Sequence, residues 1–446
     1  MSNPMTEANV GIINELKKFL NAVSTESLQR ERYIYSSKKF TRNRLLPFKR
    51  VVMLIINGLK RSLQVELQSF FEHFSSYPPC SKQAFCKQRI QLKAAFFQEW
   101  NQVLVSGFYR YYGENAKRWK YMDLLAIDGS CIPVPQTEDM QQAFGGGSNQ
   151  YGVQVSTTAR ICVLYDVLNC LAIKGFLHPY AVSEEEVIPQ CLLGLELENK
   201  LLLFDRGYPS YWLMYLLIQK GAKFVMRVSS SANNAVKEFL ASQSTDLTIA
   251  WYPPYTSLKK LRDMGFTISK HTPIKIRLVK IMLDTGETEI VVTSLYDTDV
   301  YTIEDLKEVY HLRWGIETYY GYVKEELQLG QFSGIRRICI EQDFAANLML
   351  FNLQSLIEKQ TEPYVNAVGN GRKYRYKVNK NISWACLKNR VVRLFLQEDS
   401  RSILIELEKL FGNYLEPIRP GRKYSRIKKR NPNVKYYTLT NYKRAL

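Results

Sequence analysis

Residues 124–130 read LLAIDGS, an apolar run that ends in an aspartate. Residues 201–208 read LLLFDRGY and repeat this pattern. An acidic side chain that closes a buried strand is costly unless the strand opens on solvent, a partner or a metal ion. Because carboxylate oxygens are good ligands for Mg²⁺, Asp128 and Asp205 are candidate metal ligands.

The segments around these two aspartates predict a mixed α/β sheet. Three early strands joined by tight turns indicate an antiparallel meander, and the later strand–helix–strand unit indicates parallel additions. The predicted strands lie at residues 124–127, 156–165, 170–176, 201–204 and 223–228.

The rest of the chain divides around this core. Residues 1–115 predict a helical N-terminal DNA-binding region, and residues 116–228 hold the first part of the core. Residues 229–300 are strand-rich and irregular, which indicates a β insertion with exposed strands. Residues 301–360 predict the remaining core helices, and residues 361–446 predict a C-terminal helical region with a basic tail.

A helix predicted over residues 302–327 supplies a third carboxylate. Successive residues of an α-helix are rotated by about 100° around its axis. This rotation places Tyr310, Arg313, Glu317 and Lys324 in one stripe, roughly 60° wide, along the helix surface. The neighbouring positions are largely apolar, so the stripe is expected to line a groove. The alternative is an ordinary solvent-facing stripe held by pairs of opposite charge.

Three converging carboxylates could hold two Mg²⁺ ions about 3.5–4 Å apart for in-line attack on a phosphodiester. We therefore expect Asp128, Asp205 and Glu317 to be both the catalytic residues and the metal ligands, with Mn²⁺ able to substitute. Arg313 and Lys324 could bind the adjacent phosphates.

Trp314 and the basic residues are candidates for DNA contact. Trp314 either stacks on an unpaired base or packs in the core. The chain has 61 Lys and Arg against 42 Asp and Glu, a net charge of +19, which favours a polyanionic partner such as DNA. DNA contact is favoured over a solvated helix face for the basic residues of the N-terminal region, which include Lys82, Lys87, Arg89, Lys93, Arg42 and Arg44.

Other compositional features narrow the class of protein. No apolar run reaches about 18 residues, so no membrane partner is expected. The N-terminus lacks the pattern of a secretory signal. The eight cysteines form no CxxC pair, which indicates reduced thiols of a cytoplasmic protein.

The DGS and DRGY motifs, followed by Y-(2)-R-(3)-E-(6)-K, resemble the insertion-sequence-four family of DDE transposases. Four other stretches resemble segments of that family: residues 40–48 (FTRNRLLPF), 285–297 (TGETEIVVTSLYD), 328–334 (QLGQFSG) and 420–429 (PGRKYSRIKK). The resemblance therefore covers nearly the whole chain.

The resemblance implies a ribonuclease-H-like core interrupted by a β insertion. It implies a metal-binding triad of Asp128, Asp205 and Glu317, and contacts to the transposon end from Tyr310, Arg313, Lys324 and, on a flipped base, Trp314. It also implies an enzyme that binds terminal inverted repeats, cuts the element ends and joins their 3′-hydroxyls to target DNA. Such an enzyme acts as a homodimer in a paired-end complex, in the bacterial cytoplasm at the nucleoid.

Three alternatives compete with this interpretation. A repressor derived from a transposase would need none of the three carboxylates that this chain retains. A simple nuclease would need less end recognition than the long helical region and basic tail offer. If the chain were a basic scaffold protein, the polar stripe on the helix and both aspartates after the apolar runs would have to occur by coincidence.

We expect the affinity for DNA to fall steeply between low and physiological salt, because each phosphate contact releases condensed counterions. A fluorescence-anisotropy titration over a series of salt concentrations measures this slope. An affinity that barely changes would contradict an interface dominated by phosphate contacts.

Overall fold

The computed structural model describes residues 3–41, 45–59, 61–72, 80–148, 156–283 and 286–419. Arg42 and Arg44, both expected to contact DNA, lie outside the described residues, as does the basic stretch from residue 420 onward.

Eight strands form one sheet in the order β3-β2-β1-β4-β5-β8-β7-β6. Their bounds are β1 Asp123–Pro133, β2 Thr158–Asp166, β3 Leu171–Pro179, β4 Lys200–Phe204, β5 Lys223–Val228, β6 Asp246–Trp251, β7 Ile274–Met282 and β8 Thr288–Thr293. A separate hairpin pairs β9 Arg375–Val378 with β10 Leu415–Ile418.

Seventeen α-helices are present in the described part of the chain. They are α1 Pro4–Thr25, α2 Ser27–Glu31, α3 Phe48–Ile56, α4 Leu63–Phe71, α5 Lys82–Arg89, α6 Ala95–Tyr112, α7 Glu138–Phe144, α8 Glu184–Leu192, α9 Tyr211–Gln219, α10 Asn234–Ala241, α11 Tyr255–Asp263, α12 Ile303–Leu312, α13 Trp314–Gly321, α14 Arg337–Gly369, α15 Lys380–Lys388, α16 Val391–Leu396 and α17 Ser400–Asn413. None of these helices is both long and apolar enough to cross a membrane.

The first five strands confirm the predicted mixed α/β core. β1, β2 and β3 form an antiparallel meander, and β4 and β5 then add in parallel to β1. This strand order agrees with the core that the family resemblance implies. The helical N-terminal region precedes it, also as predicted.

The strands at residues 246–293 extend this same sheet. β8 pairs antiparallel with β5, and β7 and β6 follow it outward. The prediction of exposed strands was wrong for β7 and β8, which are mostly buried. They lie inside the sheet, where the alternate side chains of each strand pack into the apolar clusters on its two faces. Only the edge strand β6 is largely exposed.

The predicted helical N-terminal region contains several separate helices. α3 and α4 are separated by a turn at Gly58, whose φ of 67° is left-handed, and α5 and α6 follow. By contrast, α14 is continuous over 33 residues and packs into both apolar clusters.

Arg89 has a structural role that its sequence neighbourhood did not suggest. The residue is only 2% exposed, which excludes the predicted contact to DNA in this conformation. Its guanidinium forms an ion pair with Asp343 at 2.6 Å and donates to the side chain of Gln342 at 2.7 Å. Arg89 therefore joins α5 to α14 beneath the surface.

Replacing Asp343 with Ala should lower the free energy of unfolding by about 3–5 kcal/mol, because it leaves the buried Arg89 charge without its carboxylate. Denaturant unfolding measures the loss. Glu341→Ala is a matched control on the same helix, since Glu341 pairs with the exposed Arg337, and it should cost less than about 1 kcal/mol. Equal losses in the two variants would contradict this role for Arg89.

Candidate active site

The strand predicted to end at Asp128 continues to Pro133, where it stays paired with β2. Its parallel pairing with β4 stops at Ala126, and this register places Asp128 and Asp205 side by side. Ala126 and Leu203 are partners in this parallel pair, and Asp128 and Asp205 each lie two residues further along. Side chains two residues apart on a strand share a face. Ala126 and Leu203 belong to the apolar cluster that contains the inner side chains of α12 and α13, so both aspartates lie on the face that these helices cover.

The predicted catalytic helix is present but is not one regular helix. It begins as expected, with a capping box in which Thr302 and Asp305 each accept from the other's backbone N–H. It tightens between α12 and α13 at Arg313, whose φ and ψ of −51° and −32° keep the chain helical. Residues 322–326 form a π-helical turn, a rare element that is frequent at functional sites.

Gly315 allows this helix to lie directly on the sheet. A Cβ atom at this position would be 2.8 Å from Cγ1 of Val167, which follows β2. The close approach holds this turn of the helix, which also carries Glu317, on the sheet near Asp128.

Arg313 lies among the acidic side chains. It is 4% exposed and donates from Nη2 to Oε1 of Glu317 at 2.6 Å. Its guanidinium carbon lies 5.7 Å from the ring centre of Tyr310. The Tyr310 hydroxyl in turn lies 3.4 Å from Oδ1 of Asp205, so Arg313 and Tyr310 link Glu317 to the end of β4.

Lys324 reaches the other aspartate motif. Its Nζ donates to Oγ of Ser130 at 2.5 Å, and the Tyr320 hydroxyl donates to the backbone oxygen of Asp128 at 2.7 Å. Burial lowers the pKa of Lys324. All four residues of the Y-R-E-K pattern therefore lie beside the two aspartate motifs, one inside β1 and one directly after β4.

Trp314 lies at the rim of this site. Its side chain is 48% exposed, so the structure excludes the alternative in which it packs in the core. The indole is available to a ligand, and its stacking on a base stays a prediction.

Glu184 is a fourth acidic residue at the site, and the sequence interpretation missed it. Its Oε1 accepts from Nη1 of Arg160 and its Oε2 accepts from the Tyr208 hydroxyl, both at 2.8 Å. A Cβ atom on Gly129 would lie 2.3 Å from its Cγ and Cδ. The sequence carries no distinguishing signal for it, because acidic residues are common in the first turn of a helix such as α8.

The environment of Asp128 favours its neutral form in the absence of a cation. Burial and, after it, the charge of the nearby Glu184 carboxylate raise the pKa of Asp128 to about 7, although the Gly129 N–H bond and Arg313 act in the opposite direction. Both causes disfavour the charged carboxylate, and a bound divalent cation would favour it.

The donor chemistry of the site fits Mg²⁺, because the three predicted ligands are hard carboxylate oxygens. In the described part of the chain, however, no three His, Cys, Asp or Glu side chains are grouped closely enough to hold a metal ion. Glu317 is turned toward Arg313. Three-ligand binding would require Glu317 to exchange this ion pair for the cation.

A family model described as the transposase DDE domain matches residues 119–353, more than half of the 446-residue chain. This chain belongs to the transposase DDE domain family. The matched range contains Asp128, Asp205, Glu317 and Lys324. The chain is therefore a DDE transposase, an enzyme of DNA strand cleavage and transfer.

One solved structure similar to this DDE transposase is the cryo-EM structure of the piggyBac transposase synaptic complex with hairpin DNA. The two chains are 12% identical with a TM-score of 0.39, over 96% of this chain and 88% of the other. No curated protein matches the sequence.

Asp128→Asn should stabilise the metal-free transposase increasingly as the pH rises from 4 to 8. The folded-state pKa of about 7 lies above the ordinary 3.8, so wild type loses stability as the pH rises through this range. We expect the difference in unfolding free energy to reach on the order of 2 kcal/mol at pH 8, allowing for partial solvent screening.

Denaturant unfolding of both proteins in a chelating buffer at several pH values measures this difference. A difference that stays constant between pH 4 and pH 8 would contradict the assigned environment of Asp128.

Proposed function

We propose that this DDE transposase mobilises an insertion sequence of the insertion-sequence-four family. It binds the terminal inverted repeats, cleaves DNA at the element ends and joins the 3′-hydroxyl ends to target DNA. The observation that supports this most directly is the position of Tyr310, Arg313, Glu317 and Lys324 beside the segments that carry Asp128 and Asp205. That spacing is the family's pattern, and here it borders both aspartate motifs.

Asp128, Asp205 and Glu317 would hold two divalent cations, Mg²⁺ or Mn²⁺. When bound, the cations would polarise the phosphodiester and activate the attacking water or 3′-hydroxyl. Asp128 and Asp205 come from adjacent strands of a rigid sheet, so they form the fixed part of this ligand set. Glu317 is on the helix and is the ligand that changes partner.

Arg313 has two roles in this proposal. Without cations it neutralises Glu317. Once Glu317 turns away, the planar guanidinium is free to donate two parallel hydrogen bonds to a DNA phosphate. Its buried Nε, which has no hydrogen-bond partner among the described atoms, would gain an acceptor in this way.

Lys324, Tyr310 and Trp314 would complete the contact to the transposon end. Lys324 emerges from the π-helical turn beside Ser130 and can bind a phosphate next to the cut. Tyr310 lies against Asp205, on the other side of Arg313. The exposed Trp314 ring offers a stacking surface for an unpaired base.

The partners of this reaction are double-stranded DNA and a second copy of the chain. Transposon ends and target are both duplexes, and the net charge of +19 favours binding to both. Following the family resemblance, two copies would pair the two ends. The basic residues outside the described range, Arg42 and Arg44 among them, are proposed to contact DNA away from the cut.

Glu317→Gln should abolish strand cleavage and leave end binding nearly intact, because it removes a metal ligand while keeping the size of the side chain. Asp128→Asn should behave in the same way. The measurement is cleavage of a labelled duplex carrying the DNA that flanks this gene, with and without Mg²⁺, beside a binding titration of each variant.

Metal-dependent cuts at the repeat ends, absent from both variants, are the expected result. Tight binding by wild type without any cut would favour the repressor alternative. Cuts scattered along unrelated DNA would favour a simple nuclease. Cleavage that survives Glu317→Gln would remove Glu317 from the site.

A further inference from the structure

Glu184 contacts three separate segments of the catalytic core. It is the first residue of α8, which is capped by the Ser183 side chain. From there its carboxyl group extends back across β1 at Gly129, a close approach that only the missing Cβ permits. Because Gly129 directly follows Asp128, Glu184 lies against the backbone that carries this aspartate.

The second contact involves the turn that carries Asp205. Tyr208 donates its hydroxyl proton to Glu184, and its backbone N–H donates to the Asp205 carbonyl at 3.1 Å. The Tyr208 ring is buried and packs on Phe204, with 5.5 Å between the ring centres. The position of the Tyr208 hydroxyl is therefore fixed. Its hydrogen bond to Glu184 holds the Glu184 carboxyl group in place relative to the turn that carries Asp205.

The third contact is an ion pair with Arg160 on β2. The same guanidinium donates from Nη2 to the backbone oxygen of Tyr180 at 3.3 Å. Arg160 therefore binds Glu184 from the far side of β1. Both carboxylate oxygens of Glu184 accept hydrogen bonds from protein donors. This arrangement is typical of a residue that orients its neighbours, whereas a direct metal ligand needs an oxygen available to the ion.

We propose that Glu184 is a positioning residue for the metal site, and this inference rests on the proposed function. It fixes the Asp128–Gly129 segment of β1 relative to the turn after β4, so that Asp128 and Asp205 keep the separation a cation needs. Its negative charge adds to that of the two aspartates and strengthens cation binding from outside the ligand set. Groups that orient metal ligands in this way commonly contribute 10–100-fold to metal affinity.

Glu184→Gln should weaken binding of Mn²⁺ by about tenfold, measured by calorimetric titration of the purified full-length protein without DNA. The Mg²⁺ concentration that half-saturates end cleavage should rise by a similar factor, while the cleavage rate at saturating Mg²⁺ and the affinity for end DNA stay close to wild type. A merely structural role would lower the melting temperature and the active fraction without moving the half-saturating concentration.

Two further variants keep the test decisive. Tyr208→Phe retains the Glu184 charge and removes one of its hydrogen bonds, so it should weaken Mn²⁺ binding by a smaller factor, even if Glu184→Gln fails to fold. Glu186→Gln is the matched control, because it removes the same charge from an exposed position on the same helical turn. It should leave Mn²⁺ affinity within about twofold of wild type.

The inference is overturned if Glu184→Gln and Tyr208→Phe bind Mn²⁺ as wild type does, or if Glu186→Gln weakens binding equally. In either case wild type would still bind the ion and cut the ends, so the proposed function would stand. A wild-type protein that neither binds Mn²⁺ nor cuts would overturn the proposed function itself.

Discussion

The parallel pairing of β1 with β4 is the constraint on which the site depends. These two strands are neighbours in space although two strands and two helices separate them in sequence. Side chains alternate between the two faces of a sheet, so a slip of one residue in this register would turn one aspartate away from the other. The apolar residues that precede each aspartate protect the register, because both faces of these strands are buried.

The extension of the sheet beyond β5 determines how the third carboxylate reaches the site. β8 pairs with β5, and the chain then enters α12, which packs against β5 and β7. From there the helix runs back across the sheet until α13 contacts β1. An insertion that looks peripheral in sequence therefore sets the starting point of the catalytic helix, and with it the distance between Glu317 and the two aspartates.

Two of the acidic side chains at the site are paired with cationic side chains of the protein itself. Arg313 pairs with Glu317, Arg160 pairs with Glu184, and Lys324 lies beside Ser130 in β1. Burying a carboxylate takes its charge out of water, which costs free energy unless a cationic partner lies beside it. Arg313 and Lys324 are also the side chains proposed to bind DNA phosphates, so binding of substrate and metal is expected to be an exchange of partners rather than a filling of empty space.

Local sequence determined the features that depend on neighbouring residues: the apolar runs that precede Asp128 and Asp205, the meander, the capping box at Thr302 and the spacing of the Y-R-E-K pattern. Alternation and helical period are properties of a short stretch of chain, and they can be recognised there. The expectation of a DDE transposase rests on the same motifs, and the family model over residues 119–353 confirms the family at that level.

Only the tertiary structure decided the features that depend on contacts between distant segments. Arg89 looks like any basic residue on a polar helix face, yet Asp343, 254 residues away, draws it into the core. Glu184 looks like an ordinary acidic residue at a helix start, and its role emerges from contacts to Gly129, Arg160 and Tyr208. The burial of β7 and β8 likewise follows from their place within the sheet. Burial and charge pairing are properties of the packed molecule, because distant segments supply the surfaces and counter-charges that decide them.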